Sequence, residues 1–362
     1  MTVICSPRSA SGFSLVEIMV GMVIGLLGIL IMMQIFTNAE SQKRTTMGAG
    51  DAQSNGALAI YTLQRDIRQA GYGFNALTAM GCPLVLPAPA SRTLSQLAPV
   101  IINPPTTDIP AGDANTDRLL VAYGSSEGSP EGDAITAVSG SMLGVQTPTN
   151  FRVNHRVFAA PALGASACNL VMASVTGVSA PNVTVAGTGA VDGGALFNLG
   201  LAPRFLAYAV RAGNLTVCDY SVANCGAACT AADGSCSGNW TPIASNIVSL
   251  RAQYGRDTNA VKDGVIDIWD QTTPPAYTSP TPAPAIPNDV ACLWARASAI
   301  RLAVVARSAE VDNQVATGAA PTWDGSAGAP INLSARANWQ NFRYRTFETV
   351  IPLRNLPWMA TC

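Results

Sequence analysis

One histidine, His155, stands in the whole chain of 362 residues, and Asp, Glu, Lys and Arg together make up only 12% of it. A histidine-rich metal centre is therefore excluded, and any Ser–His machinery would have to be built on that one ring. Formal net charge is −1, so no basic excess supports wholesale nucleic-acid binding. Two local absences say more. No proline occurs between Pro7 and Pro83, and no Asp, Glu, Lys or Arg occurs between Glu17 and Glu40. Nothing then forbids a helix from Phe13 to about Ala70, which would be ~87 Å long at 1.5 Å per residue. Its uncharged part, Ile18 to Phe36, is long enough to cross the ~30 Å hydrocarbon core of a bilayer.

Glu17 sits at the head of that apolar run. A carboxylate at the lip of a membrane helix costs about 2–3 kcal/mol on insertion scales, which makes it a functional candidate; the plain alternative is a flanking residue that snorkels to the headgroups. No small-x-small site follows the run, so a conventional cleaved signal peptide is not expected. Arg8 lies on one flank, Lys43 and Arg44 on the other, so the positive-inside rule leaves orientation open.

The stretch Gly12-Phe13-Ser14-Leu15-Val16-Glu17, ahead of an uncharged run, resembles the class III signal of type IV prepilins. The resemblance implies cleavage by a prepilin peptidase between Gly12 and Phe13 on the cytoplasmic side, and N-methylation of the new Phe13 terminus. It also implies that Glu17 neutralises the terminal ammonium of a neighbouring subunit. Opposite charges attract far more strongly in an apolar bundle than in water, and each alone would be costly there. Gly21 and Gly25 form a G-x-x-x-G with Gly28 one turn on, which would let helices approach closely; glycine is also simply common in membrane helices.

Loss of the leader removes Cys5 and leaves eight cysteines: Cys82, Cys168, Cys218, Cys225, Cys229, Cys236, Cys292 and Cys362. An even number outside the membrane helix suggests disulfides and an oxidising compartment, with the N-terminus in and the body out. Cys218, Cys225, Cys229 and Cys236 lack the C-x-x-C of zinc knuckles; the expectation is two local disulfides, Cys218–Cys236 nested around Cys225–Cys229, with Cys292–Cys362 tying down the chain end.

Past the membrane, Ile60, Leu63, Ile67 and Ala70 recur at helical spacing and should dock on a globular body. Arg65, Asp66 and Arg68 are placed off that stripe, and Gly71 and Gly73 make a C-terminal stop. Gly48, Gly50 and Gly56 are expected to bend or locally melt the helix. Arg118–Tyr123, Phe205–Val210, Ile247–Tyr254, Ala299–Ala306 and Phe347–Leu353 read as strands. The proline-rich stretches Pro83–Pro110 and Pro274–Pro287 read as exposed loops. The fold class is α+β: a long helix laid on antiparallel sheet with large insertions. The expected divisions are 1–12 leader, 13–71 helix (membrane-spanning over about 15–37) and 72–362 body.

Several later segments carry a narrower resemblance. Leu63–Gly73, Ile247–Gly255, Asp263–Trp269, Ala299–Arg307 and Tyr344–Asn355 are similar, in that order, to PilW-type minor pilins; residues 74–240 match nothing recognisable. Asp257, Asn259, Asp263, Gly264 and Asp267 look like a degenerate calcium loop, or else a plain acidic turn. Gly124-Ser-Ser-Glu-Gly128 matches the G-x-S-x-G elbow formally, but Ser-Pro-Glu-Gly follows where a helix is needed. No enzyme is expected.

The resemblance implies a minor pilin held in the bacterial inner membrane and then in the pilus fibre. Its partners would be other minor pilins, the major pilin, the prepilin peptidase and the inner-membrane assembly platform, with fibre priming or capping as its work. Twitching, adhesion and DNA uptake are all compatible with that. The rivals are a type II secretion pseudopilin and a membrane-anchored periplasmic enzyme or binding protein. No aromatic-plus-basic cluster supports a nucleic-acid site.

Overall fold

The computed structural model describes residues 12, 14–125, 128–162, 168–187, 193–229, 234–259, 261–277 and 290–357, without the side chains of 41, 44 and 291. One helix, Leu15–Gln69, runs through Gly48, Gly50 and Gly56 without interruption, so the expected melting is not seen. The chain divides into two compact units within this helix, at Gly50/Asp51.

In the first unit the apolar side chains of the run are exposed throughout, from Leu30 at 49% to Phe36 at 76%. In the second, Ala52, Ala59, Leu63, Ile67 and Ala70 are buried in the main core, with Ile60 packed at its margin. Gly56 belongs to the same face. A Cβ there would collide with the ring of Phe347, so this glycine serves close packing. Asp66 is a correction: it is 1% exposed, on the buried face and not off it. The helix stops at Gly71, whose φ of +81° suits glycine. Asn355 Nδ2 donates to the carbonyls of Gln69 and Ala70 at 3.3 and 3.1 Å, satisfying groups that a helix end leaves unpaired.

Among the described residues, three sheets make up most of the rest. A four-stranded antiparallel sheet runs in the order Ile268–Asp270, Ile247–Arg256, Ala297–Arg307, Tyr344–Pro352. A five-stranded sheet runs Thr241–Ala244, Asn214–Asp219, Arg204–Arg211, Leu119–Tyr123, Val100–Ile102. All five expected strands are present, with small changes of boundary.

The third sheet was not foreseen. Its order is Arg92–Leu94, Leu84–Leu86, Leu170–Ser179, Arg156–Ala160, Ala195–Gly200, Asp133–Ser139, Met142–Val145, Asn182–Ala186, and the last strand pairs back with Leu170–Ser179. Six strands, from Leu170–Ser179 round to Asn182–Ala186, therefore close into a barrel. It has its own core, including Ile135, Leu143, Val157, Val175, Val183 and Leu196. The barrel lies within the connection between Leu119–Tyr123 and Arg204–Arg211, which pair directly with each other. It is an insertion into the five-stranded sheet.

Two further expectations are corrected. The segment 83–110 is not an exposed loop: it supplies three short strands, and Leu84, Leu86, Leu94, Leu97 and Val100 to Ile102 are buried. Of the second proline-rich stretch, residues 278–287 lie outside the described residues. The nested cysteine pairing is also wrong. The disulfides are Cys218–Cys225 and Cys229–Cys236, with Cα atoms 5.6 and 5.0 Å apart. Cys218 ends a strand, and the turn after it returns Cys225 to the core beside it. Cys82–Cys168 joins the segment after the helix to the barrel. Cys292 is disulfide-bonded as well; Cys362, its expected partner, lies outside the described residues.

Candidate assembly site

The helix opens where the carbonyl of Ser14 accepts the N–H groups of Glu17 and Ile18 at 3.0 and 3.2 Å. Glu17 is exposed in the first turn, where the partial positive charge of the helix N-terminus favours a carboxylate. Its carboxylate has no partner among the described residues. Gly12 is exposed; Phe13, the other half of the expected cleavage site, lies outside the described residues. Within 4 Å of the space a Cβ would fill at Gly21, Gly25 or Gly28 there is nothing. Among the described residues no contact requires those glycines.

At the other end the helix is fastened by a buried polar cluster that sequence reasoning missed. The Asp66 carboxylate accepts hydrogen bonds from the hydroxyls of Tyr208 and Tyr123, the latter at 3.3 Å, and from Arg65 Nε at 2.9 Å. Burial, and then the Asp66 charge, push the Tyr123 hydroxyl up to about 12 and raise Tyr208 further. Both phenols therefore stay protonated donors. Since Tyr208 and Tyr123 sit on neighbouring strands of the five-stranded sheet, the cluster pins the last turns of the helix to that sheet.

The acidic loop is organised by its own backbone. Asp257 is buried, and its carboxylate accepts N–H groups from Asn259, Asp263 and Gly264 at 3.2, 2.8 and 2.8 Å. Burial alone would raise its pKa; those amides and Arg296 outweigh it, and the net shift is downward. Asp263 accepts from Val265 N and Asn259 Nδ2, and Asp267 from Thr258 N and Oγ1. Among the described residues, no group of three or more His, Cys, Asp or Glu is placed to hold a metal ion. In the formal elbow, the Ser125 hydroxyl accepts from Ala202 N at 3.0 Å and lies 3.3 Å from the Leu199 carbonyl. His155 Nδ1 sits 3.1 Å from Asn198 Nδ2. Each has a structural partner of its own.

Two family profiles match. The one described as Prokaryotic N-terminal methylation motif covers residues 7–33, and Type IV Pilus-assembly protein W covers 224–355. Together the two matches support a type IV pilus-related pilin that is similar to the PilW family over its C-terminal part. The PilW match takes in the four-stranded sheet, the strand Thr241–Ala244 and the helix Val290–Ala295. The inserted barrel lies outside both matches. No curated protein and no solved structure matches the chain. The methylation motif and the apolar helix behind it fit membrane anchoring and association with a pilus.

Proposed function

We propose that this chain is a minor pilin of the PilW family, inserted in the inner membrane with its N-terminus cytoplasmic and its body periplasmic. A prepilin peptidase cuts between Gly12 and Phe13, Phe13 is N-methylated, and the mature chain joins other minor pilins to prime or cap the fibre. The observation that carries this reading is the prepilin motif heading a helix whose apolar run from Ile18 to Phe36 is exposed and whose Glu17 has no partner among the described residues. Removing that surface from lipid into a helical bundle is favoured by close packing of helices. Pairing of Glu17 with a neighbour's terminal ammonium would set the register, because a mispaired charge is left buried and uncompensated.

The test is the mass of the N-terminal peptide, taken in parallel from inner membranes and from sheared fibres. A methylated Phe13 terminus in the fibre fraction supports a fibre subunit. The same terminus in membranes alone restricts the chain to a priming complex or a type II secretion pseudopilin and overturns its place in the fibre. An intact Met1 in both fractions overturns the proposal.

A further inference from the structure

We propose that the strand Tyr344–Pro352 is an open docking edge, paired in the assembly by an edge strand of a neighbouring pilin-like subunit; this rests on the pilin reading above. The fold elsewhere leaves little strand edge unprotected. The barrel strands close on themselves, which removes their edges. The remaining edge strands are short: Arg92–Leu94, Val100–Ile102 and Ile268–Asp270 have three residues each, and Thr241–Ala244 has four. Tyr344–Pro352 has nine residues and pairs on one side only, with Ala297–Arg307.

The direction of its free groups follows from the ladder. Leu353 N donates to Ser298 O, and Ser308 N donates to Arg343 O, both at the ends of the same register. In an antiparallel pair, backbone groups alternate between facing the partner and facing away. Odd-numbered residues from 343 to 353 therefore bond inward, while Tyr344, Thr346, Glu348 and Val350 turn their N–H and C=O outward. Among the described residues nothing bonds those outward groups.

The side chains suit a second strand. On the inner face Phe347 packs against Gly56 and Ile351 is buried in the main core. Phe347 remains only partly covered, so an added strand would complete the apolar layer beneath the helix. On the outer face Val350 is half exposed. Arg345 and Glu348 are exposed charges, which discourage promiscuous pairing and favour a partner strand carrying complementary charges. The exposed Leu58 and Tyr61 lie on the same docked stretch of helix, so apolar helix surface is at hand for the same neighbour.

Proline tests the edge directly. At a position whose N–H faces away from the sheet, proline is tolerated on an edge strand, yet it removes a donor and obstructs further pairing. Thr346→Pro and Val350→Pro are expected to keep wild-type unfolding temperatures and Phe13 processing. In cells, a photo-crosslinker placed at Glu348 should capture a strand segment of another prepilin-signal protein, and either proline should lower that adduct and fibre incorporation about tenfold. The conservative Val350→Thr, which keeps the N–H, should retain both. Adducts confined to a second copy of this chain, or full incorporation of both proline variants, would overturn the docking edge and leave the pilin reading intact. Loss of Phe13 processing in the wild type would instead overturn the pilin reading.

Discussion

Asp66 joins the helix to the sheet through hydroxyls that have no other use. Tyr208 is fully buried, and its hydroxyl donates to a carboxylate that is itself removed from water. Hydrogen bonds to charged groups contribute about 1.5–3 kcal/mol, so Tyr208→Phe should destabilise the body by that amount in urea unfolding. Arg65 is 55% exposed on its side chain, and its removal should cost far less. Asp257 gives a pH signature. Its pKa is lowered in the folded state from an ordinary 3.8, so its contribution is present above that value and is lost as pH falls through the folded pKa. Asp257→Asn should flatten the acid limb of the stability curve. Because backbone amides already hold these carboxylates, millimolar calcium or EDTA should leave the unfolding temperature unchanged; a calcium-dependent rise would restore the ion-binding reading of this loop. At the opposite end, Glu17→Ala should leave membrane insertion and Phe13 processing intact but reduce the chain in sheared fibres. Unchanged incorporation would sink the charge-pairing idea.

Disulfides act at the scale of elements, and the three described here close loops of very different length. Cys82–Cys168 spans 86 residues, whereas Cys218–Cys225 and Cys229–Cys236 span 7 each. Loop-closure entropy then gives about 4–5 kcal/mol for the long bridge and about 2 for each short one. Cys82→Ala with Cys168→Ala should therefore lower the unfolding temperature about twice as far as Cys229→Ala with Cys236→Ala, measured by differential scanning calorimetry of the detergent-solubilised chain. The elements legible in the sequence were those with long, uninterrupted patterns. The helix followed from missing prolines, and the five strands found were apolar runs such as Ala299–Ala306. Asp66 was readable too: it stands three residues after Leu63 and four before Ala70, which places it on the buried stripe. A charge at that position reads as exposed, because the partners that make burial tolerable are 57 and 142 residues away. The cysteine pairing and the strands in 83–110 depend on similarly distant or turn-specific contacts.

The whole molecule combines a body that carries the PilW match over 224–355 with an inserted barrel, and the two differ in how much local sequence reveals them. Barrel strands such as Asp133–Ser139 and Asn182–Ala186 are short and mix Asp, Thr, Ser, Ala and Asn with isolated Ile and Val residues. Their apolar pattern is completed only across the ring, where Val183, Val175 and Leu196 meet. That separate core predicts separate unfolding. Phe158 and Phe197 stack at 4.9 Å between ring centroids and belong to the main core instead, so the barrel is attached through one face while its interior stands alone. Leu196→Ala, which removes a fully buried side chain, should cost the barrel about 2–5 kcal/mol. Hydrogen exchange followed by mass spectrometry should then show faster exchange across 133–160 and 170–186, with protection in Ile247–Arg256 and Ala297–Arg307 unchanged. Leu302→Ala, in the four-stranded sheet, should have the reverse effect or unfold everything together. If Leu196→Ala accelerates exchange equally in both regions, barrel and body form one cooperative unit and the insertion is integral to the pilin fold.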